Sequence, residues 1–474
     1  MNWWQRLKNW FAADEGGVAL GWLGLRLDRE LWPPPEHRER LEWYEIGYKL
    51  FQGRHEEVFE PHRPLAARPY LTINVLGMVT RLCARRLFGR PARYLAPRAQ
   101  ELVGLLAESS RLDLLNVRQA QTASYSGDAV YKVRYDAVRD RVLIEGVNPG
   151  LFFPKFADDQ QSEIAAATLA WLVPDEESER RAWLRQEVHE PGLVRHELWE
   201  LSALPDGEWA VGEQRPLATL ERYAAVPESA ATGVEELLVV QVPNQQVAED
   251  GLWGVSDYET VVPLQGELNN RATRLAATLD LHANPRMYGP KSLLDERGEF
   301  VADESEFLLV REGETPPGYL VWDAQLEIVK AQLDDLRLDI LRGAGISPES
   351  IGLGLRGGQA ESGRAVRLRQ LETTATVQAK GTLFDAALRQ VLSVASKLHA
   401  AQVQDRSRVP DAVALEPGDI TVVRADGPPR DDLEEAELGQ RWIESGLLSP
   451  EAARERLLGM TPAEAAAETA RVRV

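Results

Sequence analysis

The chain has 474 residues, 44% hydrophobic and 27% charged, the balance of an ordinary globular protein with room for several domains. A formal net charge of −20 argues against a free duplex-DNA reader, which is usually basic, and suits either plain solubility or a conduit where DNA slides without sticking. Cys83 is the sole cysteine, which excludes an intrachain disulfide and lends no support to secretion.

The segment MNWWQRLKNWF opens the sequence, with Trp3, Trp4, Trp10 and Phe11 beside Arg6 and Lys8. That pattern is basic and amphipathic, fit for packing on a partner or its own domain more than for a membrane, and no signal peptide is expected. The apolar piece at 18–25 is too short to span a bilayer. Apolar spacing predicts helix over 40–53 and through the run from Leu71 to Leu106, punctuated by prolines at 33–35, 61, 64 and 69.

From about Asp113 the period changes, and 113–245 reads as mixed and β-rich. Ala129–Tyr135 alternates after a turn at Ser126-Gly127-Asp128, strand signals recur at Arg141–Glu145 and Leu151–Phe153, and a helix is expected near 160–172. Pro191-Gly192 marks a hairpin that would put His189 and His196 on the surface without a metal role.

Leu238–Asn244 is a short apolar strand closed by Pro-Asn. A long helix over 258–284 follows, with Leu264, Leu268, Leu275 and Leu279 on one face and Ala272 between them, stopped by His282-Ala-Asn-Pro285. Residues 286–322 are β-like. A second long helix has Asp323 as N-cap, a stripe of Leu326, Val329, Leu333, Leu336 and Ile340, and Gly343 as C-cap.

Next comes GAGISPESIGLGLRGGQAESGRAVR, a glycine-dense stretch of a kind that is usually functional. It contains GxGxxG at Gly352, Gly354 and Gly357, but a dinucleotide site needs a strand before those glycines, and a helix stands there instead. A third helix is expected over 362–401. Ile420–Arg424 reads as a strand, and Ser449-Pro450-Glu451 and Thr461-Pro462-Ala463-Glu464 read as helix starts.

Val239–Asn244, then Gly254-Val-Ser-Asp257-Tyr-Glu, then Leu264 through Asn270, His282–Pro285, Gln359-Ala-Glu-Ser362-Gly363-Arg-Ala365 and Ser445–Glu451 follow one another in an order that resembles the portal (head–tail connector) proteins of tailed bacteriophages. The likeness is good over 240–474, weaker over 113–240, and reaches 1–110 only by elimination. It implies an α+β, portal-like subunit with a mixed α/β wing, a two-helix stem, a β-rich clip and a helical C-terminal crown, assembled as a ring of typically twelve.

Carried onto this sequence, 1–257 is the wing, helical over 1–112 and β-rich over 113–257. The first stem helix is 258–285, the clip 286–322, the second stem helix 323–345 and the tunnel loop 346–361. Residues 362–431 form the long helix and return to the wing, and 432–474 form the crown. The resemblance implies double-stranded DNA passing non-specifically through the ring. Its partners would be a terminase large subunit, a head–tail adaptor, and the major capsid and scaffolding proteins, with no membrane, metal or cofactor, and its place the virion.

Gly352, Gly354, Leu355, Arg356, Gly357, Gly358, Gln359, Arg364 and Arg367 would line the DNA channel. Arg356, Arg364, Arg367, Arg369 and Lys380 outnumber Glu361 and Glu372 there, as a phosphate path would favour; a solvated helix face paired with acidic neighbours is the plainer alternative. Glu299, Asp303, Glu304 and Glu306 oppose only Arg297 nearby and would dock the motor and adaptor, an ordinary solvated hairpin being the alternative. A different class of function is an enzyme that binds a nucleotide or phosphate at 352–358, and a third is a multidomain scaffold without DNA contact. The sequence lacks GxxxxGK[ST], a GxSxG elbow and a kinase set, so no catalytic residue is named.

Overall fold

The computed structural model describes residues 25–27, 33–59, 70–157, 160–175, 181–203, 209–245, 251–283, 287–289, 315–316, 318–319, 326–353, 368–405, 413–424, 432–458 and 462–472, with single positions between. In chain order come β1 (Leu25–Leu27), α1 (Arg38–Gln52), α2 (Val75–Phe88), β2 (Arg93–Leu95), α3 (Gln100–Ser109) and α4 (Leu112–Ser126). A strand-rich part follows: β3 (Asp128–Asp136), β4 (Arg141–Val147), β5 (Phe152–Ala157), β6 (Gln160–Pro174), β7 (Arg181–Glu190), β8 (Leu193–Ala203), β9 (Trp209–Arg215), β10 (Ser229–Ala231) and β11 (Val239–Pro243). Then come α5 (Val262–Ala283), β12 (Met287–Tyr288), β13 (Gly318–Tyr319), α6 (Leu326–Gly343), α7 (Leu371–Gln402), β14 (Thr421–Val423), α8 (Asp432–Glu444), α9 (Pro450–Leu458) and α10 (Pro462–Val472).

One sheet runs β1-β9-β8-β7-β6-β5 with β10 against β8, and a second runs β11-β3-β4. The Pro191-Gly192 hairpin forms as expected, with Glu190 opposite Leu193 and Gly192 at φ 77°. The α-rich layer and the three-stranded sheet share a core that joins Leu87, Leu102, Leu106, Tyr131, Ile144 and Val242 to Phe384, Leu388 and Leu392 of α7. A second core packs Ile46, Leu50, Leu76 and Val79 against Leu268 of α5 and Ile340 and Leu341 of α6. The paired helices are therefore rooted in the helical layer, and β12 pairs antiparallel with β13 beyond them. Among the described residues no helix is long and apolar enough to cross a membrane.

Three expectations are corrected. The stretch near 160–172 is a strand, not a helix. Its Ala-Ala-Ala run favours helix weakly, but β6 has β5 on one side and β7 on the other, and two ladders of hydrogen bonds outweigh propensity. The β-rich part begins at Asp128 and not near 113, because α4 is a helix whose inward face carries Leu115, Gln119 and Ala123. Gly343 is the last residue of α6 rather than its cap. A Cβ there would sit 2.4 Å from Val261 Cγ1, and the left-handed position is Gly345, at φ 68°.

Candidate functional site

Of the residues singled out in the sequence, Gly352 is described. Gly354, Leu355, Arg356, Gly357, Gly358, Gln359, Arg364 and Arg367 lie outside the described residues, as do Glu299, Asp303, Glu304 and Glu306. Gly352, at φ 79°, caps a single 3-10 turn over Pro348–Ile351, and the chain reaches that turn from α6. A helix and a 3-10 turn, not a strand, lead into Gly352, which is not the entry a dinucleotide site needs.

The two flanks of 354–367 are tied together. Thr373, in the first turn of α7, accepts the Ser347 amide (2.7 Å) and the Ser350 hydroxyl (2.9 Å) on its own hydroxyl. One turn later the Thr376 hydroxyl donates to the Gly345 carbonyl at 2.9 Å. The described chain on either side of 354–367 is thus held in one clamp between the end of α6 and the start of α7.

What fixes those helices is a buried polar joint. Asp257 lies just before α5, and its side chain is fully buried. Its carboxylate accepts Lys380 Nζ on both oxygens at 2.5 Å, the Ser124 hydroxyl at 2.7 Å, Asn244 Nδ2 at 2.8 Å and Gln245 Nε2 at 3.1 Å. The Asp257 amide donates to the Ser124 carbonyl at 3.0 Å. Thr80 of α2 lies 2.8 Å from the Ser124 hydroxyl and 2.6 Å from the Tyr258 hydroxyl. One carboxylate therefore holds α4, the end of β11, the entry to α5 and the middle of α7. Burial pulls the Lys380 ammonium down, but the Asp257 charge overrides it and holds the pKa above the usual lysine value. Burial likewise pushes the neighbouring Cys83 thiol up to about 11, so it stays a neutral packing group. The acceptor positions of the carboxylate are filled from within, which makes the cluster a fastening and not an acid or base.

Lys380 therefore leaves the set of residues placed on a phosphate path: its side chain is 1% exposed and bound to Asp257. Sequence reading missed the joint because Asp257 and Lys380 are 123 residues apart. The available signal was a lysine on the same helical face as Val377 and Phe384, both of which are core residues.

Two further clusters support the joint. Asp128 accepts the Tyr44 hydroxyl, Gln241 Nε2 and, at 2.9 Å, the Gly254 amide, and burial raises its pKa to about 6. Asn269 of α5 donates to His55 Nδ1 at 2.7 Å and accepts the Ile73 amide at 3.0 Å, while His55 Nε2 pairs with the Leu50 carbonyl at 3.0 Å. That fixes His55 as the neutral Nε2–H tautomer, and burial lowers its pKa.

His189 and His196 are not surface residues. His189 is 1% exposed and lies 3.6 Å from Glu187, and His196 Nδ1 meets Arg185 Nη2 at 2.9 Å. Glu187 also binds Lys132 of β3, so this cluster joins the two sheets. Burial lowers His196 to about 4. Burial opposes ionisation of Glu187, but His189 and Lys132 hold it well below the usual carboxylate range. Among the described residues no group of His, Cys, Asp or Glu could hold a metal ion.

A solved structure described as the virion of a native gene transfer agent particle is similar at 15% identity, covering 92% of this chain and 97% of that one, with a TM-score of 0.43. Another, the neck of a native gene transfer agent particle computed with C12 symmetry, is similar at 13% identity over 91% of this chain and 95% of that one, with a TM-score of 0.42. No curated protein matches the sequence. The family model described as phage portal protein, SPP1 Gp6-like, matches residues 35–472, and with nearly the whole sequence inside it the chain belongs to that family of phage portal proteins.

Proposed function

We propose that this chain is the subunit of a portal ring, about twelve copies at one capsid vertex, through which double-stranded DNA is packaged and later ejected. The observation that carries the reading is the family match over 35–472. The fold is consistent with it: two long helices share a root, a small β pair lies between them in sequence, and the described flanks of the glycine-dense stretch are bonded to each other. On this reading α5 and α6 are the stem, 286–322 is the clip and 346–361 the tunnel loop. The crown is 432–474, and the remainder is wing and its connections.

The ring is a passive channel that takes its energy from a separate packaging ATPase, the terminase large subunit, docked on the clip through Glu299, Asp303, Glu304 and Glu306. A head–tail adaptor later occupies the same end, capsid and scaffolding proteins surround the wing, and the mature protein resides in the virion. The Gly352–Gly358 stretch and Arg356, Arg364 and Arg367 face passing DNA. Deleting Gly352–Gly358 tests this: rings should form normally while DNA packaging or retention is lost. Normal packaging by the deletion variant would refute the tunnel-loop assignment.

A further inference from the structure

The charged tie between the two sheets runs through one buried carboxylate. Glu187 of β7 binds Lys132 of β3 through Oε2. His189 follows two residues later on the same strand face, with Nε2 3.6 Å from that same oxygen. The gap is too long for a hydrogen bond, and neither ring nitrogen of this buried imidazole has another hydrogen-bond partner among the described residues. A buried polar group left in that state is uncommon in a native fold and asks for a reason.

The surroundings give a protonated His189 one partner. In the sheet it stands opposite Ala167 of β6 and Val194 of β8, both apolar. His196 of β8, opposite Glu187, has Nδ1 3.9 Å from Glu187 Oε1, but that nitrogen is taken. The Arg185 guanidinium only donates, so Nδ1 accepts from it at 2.9 Å, and a proton there would break the bond. Arg185 itself lies over the rings of Trp171 and Tyr223. On the other sheet Arg134 of β3 is bonded to Glu145 of β4 at 2.8 Å, and Glu145 stands opposite Lys132. With His189 neutral, Lys132 and Arg185 face Glu187 as two cations. A proton on His189 adds a third that competes with Lys132 for the same oxygen.

We propose that His189 is a proton-operated release between the two sheets. On taking up a proton it donates Nε2–H to the Glu187 oxygen that Lys132 holds, and an ion pair between sheets becomes one within β7. Lys132 turns to Glu145, its cross-strand neighbour, so each sheet then pairs its charges internally. The apolar layer of Val130 and Val239 against Phe152, Ala167 and Leu169 keeps the sheets in contact, without the tie that fixes one against the other. The direction follows from burial, which lowers the His189 pKa below its ordinary value of 6.5. The fold favours the neutral ring, so the stability this site gives is full above pH 6.5 and drains as pH falls below it. The device needs only one chain and does not rest on the ring reading.

The test is hydrogen exchange over 181–203 in the full chain between pH 7.5 and 5, corrected for the intrinsic pH dependence of exchange. The parent carries His196→Gln, which keeps an acceptor for Arg185 and removes the neighbouring ring's own titration. The parent's opening constant should rise about tenfold in acid, the worth of one pKa unit. Adding His189→Gln should flatten that step. Adding Lys132→Met instead cuts the tie at the outset, so the strands should be more open at pH 7.5 and gain protection in acid as His189 pairs with the vacant carboxylate. This reversal of sign tests the proposal even if His189→Gln does not fold. A parent whose opening is constant with pH, a step of equal size in His189→Gln, or a step in the parent's direction in Lys132→Met would each overturn it.

Discussion

Replacing Lys380 with Met probes the buried joint while keeping side-chain length. The substitution removes both 2.5 Å contacts to Asp257. It leaves a fully buried carboxylate with Ser124, Asn244 and Gln245 as donors. Those three neutral donors do not replace a cation, and breaking one side of a buried pair costs about 3–5 kcal/mol. Domains hold only about 5–15 kcal/mol in total, so the loss is a large share of stability. Removing both charges, as Asp257→Asn with Lys380→Met, should cost less than the sum of the single changes, with a coupling of about 2 kcal/mol. Urea unfolding followed by tryptophan fluorescence gives the energies, and hydrogen exchange over 258–268 reports whether the entry to α5 loosens. A cost below about 1 kcal/mol for Lys380→Met, with no coupling in the double variant, would show that the pair does not fasten the joint.

Asp128 gives a pH test. Burial raises its folded pKa to about 6, above the ordinary aspartate value of 3.8, so the folded state favours the protonated form. Its contribution is full below pH 4 and is lost as pH rises through 6, a difference of about 3 kcal/mol for two units. Asp128→Asn should lack that slope, so the wild-type-minus-variant stability should fall by about 3 kcal/mol between pH 4 and 7, and a constant difference across that range would contradict it. Gly127 sits at φ 103°, and a Cβ there would lie 2.5 Å from the Gly254 carbonyl oxygen. Gly127→Ala should cost more than about 2 kcal/mol, from the left-handed backbone plus a clash with main chain, and a midpoint within error of wild type would be the contrary result. At Gly381 a Cβ would meet the Arg424 guanidinium at 2.1 Å, where Arg424 forks onto Asp385 at 2.6 and 3.0 Å. Gly381→Ala should free 417–424 to faster hydrogen exchange while α7 stays protected, and equal protection of both would count against it.

The elements most legible in the sequence are those whose pattern is local. α5 and α6 carry apolar stripes that the structure buries at Leu268, Ala272, Leu333 and Ile340. The Pro-Gly hairpin and the Ser449 N-cap are likewise set by neighbours in sequence, with Ala452 N donating to Ser449 Oγ at 3.1 Å. Leu279 and the first two residues of the α6 stripe were less informative, because a stripe does not tell which turns reach a core. β6 and α4 were misread where tertiary pairing or a sparse apolar face decides. The joint was invisible for a further reason: a buried charge pair has no periodicity, and a lone lysine such as Lys380 looks solvated until Asp257 is placed against it. Gly343 was misjudged because its lack of a side chain serves Val261, a neighbour far away in the sequence.

The central claim is a ring with an axial hole. The most direct measurement is the mass and symmetry of the purified protein, by native mass spectrometry with electron-microscope top views. The account expects one closed ring of about a dozen copies of the 52.9 kDa chain with a central opening. A species that remains a monomer or dimer at the highest concentrations, alone and with scaffolding protein added, would contradict it.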